Sequence, residues 1–246
     1  MAFDPDFALA VCIFLGAALY SSVGHAGASA YIALMALFGV PAAVMRPTAL
    51  VLNIIVASFT SARFIQAGIF RWRTLWPFLI GALPMAFVGG SIVLPGHWYR
   101  TIVGAILWLS AVRLLWPVQL KVVTEWQDPP LAWAIPAGAG IGLLAGLTGT
   151  GGGIFLSPLL LFLGWSEPRR ASGVAAVFIL LNSTAGLLGN LGSVKQLPPT
   201  LPMFAVAALM GALVGSTLGI RLPVPLLLRS LALVLIVAGA KMIGVY

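Results

Sequence analysis

Two clusters of small residues hold the groups in this chain best suited to recognising a ligand. The first runs Ser21-Ser22-Val23-Gly24-His25-Ala26-Gly27-Ala28-Ser29, the second Leu147-Thr148-Gly149-Thr150-Gly151-Gly152-Gly153. Successive glycines let the backbone turn without side-chain clashes and leave its amides accessible. An apolar run follows each cluster, Ala30 to Phe38 and Ile154 to Leu163, and can begin a half-helix. The amides and dipole at such a helix start favour negative charge. The chemistry expected of Ser22, Gly24, His25, Gly27, Ala28, Ser29, Thr148, Gly149, Thr150, Gly151, Gly152 and Gly153 is therefore reversible binding of a small anion. Neither cluster contains lysine, which suits a site that must also release its ligand.

His25 is the one ionisable side chain inside its apolar window, so it is the candidate for donating to the anion or carrying a coupled proton. The matching position in the second cluster is Thr150, which makes hydrogen bonding the more secure of the two roles. Asn53 and Asn182 are lone amides in apolar stretches about thirty residues beyond each cluster, placed either to orient the ligand or to bond between helices. No carboxylate lies in the hydrophobic interior, and no second histidine stands at metal-ligand spacing. An enzyme, a metal site and a bound cofactor are not expected.

The elements that position these residues must lie in a membrane. Of 246 residues 61% are hydrophobic and 7% charged, against about 25% charged in a soluble domain. Thirteen basic and five acidic residues cannot clothe a water-soluble surface, so the remainder faces lipid. The net charge of +8 is scattered through short loops rather than gathered into a patch, which argues against nucleic acid and for a role in setting topology. Eight hydrophobic segments follow from the charge-free windows. The expected location is a membrane, crossed several times. The tryptophans, Trp72, Trp98, Trp108, Trp133 and Trp165 among them, are expected near segment ends as an interfacial belt. Arg46 and Arg63 bracket one span and are expected to snorkel to headgroups.

The second half replays the first. Gly24 to Ala28 lies 125 residues before Gly149 to Gly153, and Ala82, Leu83, Ala86, Val88 and Gly89 recur 126 residues later as Ala208, Leu209, Ala212, Val214 and Gly215. Residues 117–130, with Lys121, Glu125, Asp128 and two consecutive prolines, read as a polar linker between a first repeat, 1–116, and a second, 131–246. Together the repeats are expected to form one transport domain.

The windows holding the glycine clusters, 39 residues from Phe7 to Met45 and 38 from Pro129 to Ser166, are too long for one span and short for two. A single crossing by each would divide the basic residues seven against six; a re-entrant hairpin in each divides them nine against four. The positive-inside rule favours the hairpins. The expected fold is thus all-α, with two inverted repeats, each a broken or re-entrant helical hairpin plus three spanning helices.

The duplicated glycine cluster, the Leu161-Phe162-Leu163-Gly164 ending, the Asn182-Ser183 pair and the loop Gly68-Ile69-Phe70-Arg71-Trp72-Arg73 together resemble the TauE/SafE sulfite exporter family over nearly the whole chain. The resemblance implies a secondary transporter that exports sulfite or a related small sulfur-containing anion across the bacterial cytoplasmic membrane, without ATP hydrolysis by the chain itself. A passive anion channel, or a carrier for another organic anion such as a sulfonate or a carboxylate, is the alternative. The first cluster departs from a run of three glycines, which makes the expected site asymmetric.

Overall fold

The computed structural model describes residues 4–22, 26–115, 127–218 and 224–244. Each half begins with two helices separated by its glycine cluster and continues with three longer ones. The first half holds α1 (Pro5–Ser22), α2 (Ala28–Leu37), α3 (Ala42–Gln66), α4 (Trp72–Ser91) and α5 (Gly96–Leu115). The second holds α6 (Leu131–Thr148), α7 (Gly153–Phe162), α8 (Pro168–Gly189), a 3-10 helix (Leu191–Gln196), α9 (Leu201–Leu218) and α10 (Val224–Ile243). The two anomalous windows are thus helix–break–helix pairs, and eight hydrophobic segments become ten α-helices among the described residues. Most of the expected linker, residues 117–126, lies outside them.

In lipid every backbone amide needs an internal partner, which is why the chain is helical wherever it is apolar. Helices α3, α4, α6 and α8 are long and apolar enough to cross a membrane. At 25 residues, α3 extends about 37 Å on a rise of 1.5 Å per residue. Large apolar side chains such as Leu15, Leu109, Val206 and Leu233 stand exposed on the helix exteriors, where lipid takes the place of water.

The short helices stop the same way in both halves. Gly39 and Gly164 adopt left-handed φ of 76° and 69°, so the chain can close the last turn backwards at no Cβ cost. Val40 N–H then reaches Met35 O at 2.9 Å, and Trp165 N–H reaches Leu160 O at 2.9 Å. Each is the longer bond of a Schellman cap.

Backbone-to-backbone contact joins the halves. A Cβ on Gly138, Gly142 or Gly146 of α6 would collide with the carbonyls of Phe78, Ala82 and Ala86 on α4. Steps of four on one helix match steps of four on the other in the same direction, so α4 and α6 run parallel. On the other side, Gly211 and Gly215 of α9 meet the carbonyls of Phe14 and Ala18 on α1, again in parallel. Gly89 and its repeat counterpart Gly215 therefore make the same kind of contact, Gly89 with α6 and Gly215 with α1. Helices α3 and α8 cross antiparallel at the centre, with Asn53 beside Ser183 and Leu50 beside Gly186.

This packing yields a stability prediction. Gly142→Leu has no room for its side chain, and overpacking alone costs about 1–3 kcal/mol, more where a backbone must move. The expected outcome is a marked loss of folded protein on size exclusion in detergent and a lower melting temperature. Gly140→Ala on the same helix meets nothing within 4 Å and should match or exceed the wild type.

Contacts also fix which helix ends lie together. Asp6 and Leu9, early in α1, line one cavity of about 670 Å³ with Met35 and Val40, at and just beyond the end of α2. Asp128, just before α6, pairs with Arg71, just before α4, at 3.0 Å. Trp165, just after α7, stacks on Phe78 of α4 at 6.1 Å between ring centroids.

Trp165 stands at a segment end but is buried against Phe78, and Trp108, within α5 and exposed, donates Nε1–H to Ile236 O of α10 at 3.1 Å.

Candidate functional site at the second helix break

Helix α6 ends where Gly149 turns left-handed, at φ 85°, and Gly151 and Gly152 follow at 73° and 80°. Residues with a Cβ rarely adopt one such conformation, and this segment needs three. Space imposes glycine as well. A Cβ on Gly151 would lie 2.8 Å from Asn53 Nδ2 and 3.0 Å from Ser183 Oγ, and one on Gly152 would lie 3.1 Å from Asn182 Nδ2. Gly152 is the N-cap of α7, and no side chain caps that start. A helix start ordinarily leaves its first amides without intrahelical partners, and this one is buried.

Side chains from two long helices converge on the break. Asn53 of α3 donates from Nδ2 to Gly149 O at 3.4 Å and to Ser183 Oγ at 3.3 Å. Asn182 of α8 donates to Gly151 O at 3.5 Å. These separations lie well beyond the 2.9–3.0 Å usual for an N–H···O bond, so both amides are held loosely. Both Oδ1 atoms are buried and have no partner. An unsatisfied buried acceptor costs about 1–3 kcal/mol, a penalty that only a donor entering the break, a water or a protonated ligand, can relieve. Thr148 and Thr150 complete the cluster, their hydroxyls 3.1 Å apart, with Tyr99 OH donating to Thr148 O at 3.1 Å. The result is a buried cluster of amides and hydroxyls that carries no full charge.

The first break is built differently. Gly27, at φ 95°, is the N-cap of α2, again without a side-chain cap. Tyr31 OH donates to Ala26 O at 2.8 Å, and the Tyr20 and Ser29 hydroxyls lie 2.5 Å apart. Ser29, expected to bind ligand, is thereby engaged within its own hairpin, and Ala28 is buried beside it. Gly24, His25 and the side chain of Ser22 lie outside the described residues.

Of the candidates, Asn53, Thr148, Gly149, Thr150, Gly151, Gly152, Gly153 and Asn182 are brought to one place, while Gly27, Ala28 and Ser29 form another. The repeat-related asparagines do not serve one break each: both reach the second. Tyr20, Tyr31, Tyr99 and Ser183 were not among the expected site residues. The sequence carried a signal for the tyrosines, since it has only four and Tyr31 follows Gly27 by one helical turn.

Arg46 also departs from expectation. It does not snorkel but is buried, donating Nη1–H to Ile92 O at 2.8 Å and Nη2–H to Gly89 O at 2.7 Å and to Gly90 O. These carbonyls end α4, where the helix runs out of intrahelical donors and its dipole attracts a cation. A Cβ on Gly149 would lie 3.1 Å from Arg46 O, so this arginine also flanks the break.

Residues 9–242 match the family described as Sulfite exporter TauE/SafE. A probable membrane transporter protein, y4hK, of Sinorhizobium fredii is 39% identical over 239 residues, 96% of this chain and 97% of that protein. A probable membrane transporter protein of Xylella fastidiosa is 31% identical over 110 residues, 44% of this chain and 42% of that protein. No solved structure matches. With apolar spans, a buried polar break and a family match over nearly its full length, the chain is a multi-pass membrane protein of the bacterial cell membrane and belongs to the TauE/SafE sulfite exporter family.

Proposed function

We propose that this chain is a secondary transporter exporting sulfite or a related small sulfur-containing anion, held at the second helix break by Asn53, Asn182, Ser183 and the amides of Gly151 to Gly153. The observation that carries the reading is the convergence of two loosely bonded buried amides on an uncapped helix start. Such donors can turn from a carbonyl to an anion at little cost, and helix starts are ready-made anion sites. Broken helices meeting near the membrane midplane are the recurrent transporter solution.

In this reading residues 1–116 and 131–246 are inverted repeats joined by 117–130 and forming one transport domain. Two sets of contacts support inversion. The start of α1 shares a cavity with the end of α2, so the first hairpin returns to its own side. The start of α6 and the end of α7 both lie at the start of α4, so the second hairpin returns to the opposite side. That second side carries Arg71, Arg73, Arg169 and Arg170 and is cytoplasmic by the positive-inside rule.

Uptake into proteoliposomes tests the substrate with a panel of sulfite, sulfate, thiosulfate, a sulfonate and a carboxylate. Sulfite or a sulfonate is expected to be carried; failure of every sulfur anion removes the reading. The same reading gives His25 the coupled proton. Transport by the wild type should then depend on pH, and His25→Ala should flatten that dependence. Identical profiles in the two proteins would remove protons from the scheme.

A further inference from the structure

We infer that the cavity beside Arg46 is a second anion site, an antechamber between the outer membrane surface and the glycine break. The cavity, about 480 Å³, lies among the start of α3, the end of α4, the start of α5 and the end of α8, and Arg46, Tyr99 and Asn190 form part of its wall. It can hold a small oxyanion together with several waters, each occupying about 30 Å³.

Three observations give it this role. First, the wall is positive: Arg46 lines it and no acidic residue does. The ion pairs among the described residues take Asp128 and Glu167 to other arginines. Second, the charge of Arg46 is only partly answered. The end of α4 supplies roughly half a negative charge through its dipole, which leaves an excess in a poorly solvated place. The bonds to Ile92, Gly89 and Gly90 use three donations, a guanidinium has five N–H groups, and Nε is buried without a partner. Third, the cavity wall is also the wall of the break. Tyr99 OH holds Thr148 O, and Arg46 backs Gly149. An anion in the cavity is therefore separated from the break by residues that touch both.

The charge-free break and the charged antechamber divide the work. Arg46 concentrates anions at the mouth by attraction, as a cleft of one sign does. The break, having no full charge, holds and releases them. The orientation toward the outside rests on the proposed transport reading; anion binding at Arg46 does not.

Binding is measured as the sulfite-dependent shift in melting temperature of the purified protein at fixed ionic strength, with sodium gluconate as the control salt. Asn190→Asp keeps shape and places a carboxylate in the cavity wall; Arg46→Lys keeps the charge and Arg46→Gln removes it. Asn190→Asp and Arg46→Gln should each weaken the high-affinity component about tenfold or more, equivalent to about 1.4 kcal/mol. Arg46→Lys should retain most of it. Gly152→Leu, which blocks the break, should leave the Arg46 component intact. The inference is overturned if Asn190→Asp, or a folded Arg46→Gln, binds sulfite as the wild type does, or if the wild type shows no sulfite-specific shift. Sulfite counterflow that persists in that last case would leave the break reading standing and remove only the antechamber. Loss of folded protein in Arg46→Gln alone decides nothing against it, because Asn190→Asp reads the same site without touching the α4 cap.

Discussion

Asn53→Asp should leave the protein folded and its anion transport reduced more than a hundredfold. The substitution changes shape hardly at all, yet places a carboxylate beside Gly149 O and Ser183 Oγ in a fully buried position. A carboxylate is acceptor-only when ionised, so the donor that faces the anion is replaced by a group that repels it. Loss of a hydrogen bond to a charged ligand costs about 1.5–3 kcal/mol, roughly ten- to a hundredfold, and like-charge repulsion adds to that. Asn53→Leu removes the same donor without adding a charge, so it should be milder in transport. Thermal melting separates the two effects: a protein that melts near the wild-type temperature but no longer carries sulfite has lost recognition rather than fold.

Gly152→Leu should abolish transport for a different reason. Its backbone sits at φ 80°, where a Cβ costs roughly 1–2 kcal/mol, and that Cβ would lie 2.8 Å from Ile141 Cγ2 and 3.0 Å from Phe178 Cε1. The larger side chain also crowds Asn182, whose Nδ2 lies 3.1 Å from that Cβ. Gly152→Ala, carrying the strain with little of the bulk, should retain measurable transport, about a tenth or more of the wild type on a cost near 1.4 kcal/mol. If the leucine variant transports normally, the second break is not the route.

Much of this arrangement was legible in the sequence because it depends on local chemistry. The glycine clusters marked both breaks, Gly39 and Gly164 marked the ends of both short helices, and the odd window lengths marked two helix–break–helix pairs. Asn53 and Asn182 stood out as lone amides, and both reach the second break. What escaped was set by contacts distant in sequence. Arg46 reads as a span-end arginine free to reach headgroups; nothing near it in the chain announces that the carbonyls of Gly89, Gly90 and Ile92 will be waiting there. The bonding of Tyr99 to Thr148 likewise links residues of different halves. Periodicity locates helices, but a buried charge or phenol finds its partner only once they pack. The same limit explains Trp165, whose place by Phe78 depends on how α4 and α7 come together.

The two breaks also differ more than their sequences suggested. Ser29 is already matched by Tyr20, and Tyr31 occupies the space beside Gly27. At the second break the asparagine oxygens are left without partners. Among the described residues, then, the second break keeps unpartnered polar atoms, whereas the first has the Ser29 hydroxyl and Ala26 O engaged by its own tyrosines.

The most direct measurement is counterflow: radiolabelled sulfite added outside proteoliposomes preloaded with unlabelled sulfite, with the wild type and Asn53→Asp compared at equal reconstitution. Preloading should accelerate label entry through the wild type several-fold and have no effect on the variant. Equal acceleration in both proteins, or sustained anion conductance without acceleration in the wild type, would contradict a carrier that holds its anion at the second helix break.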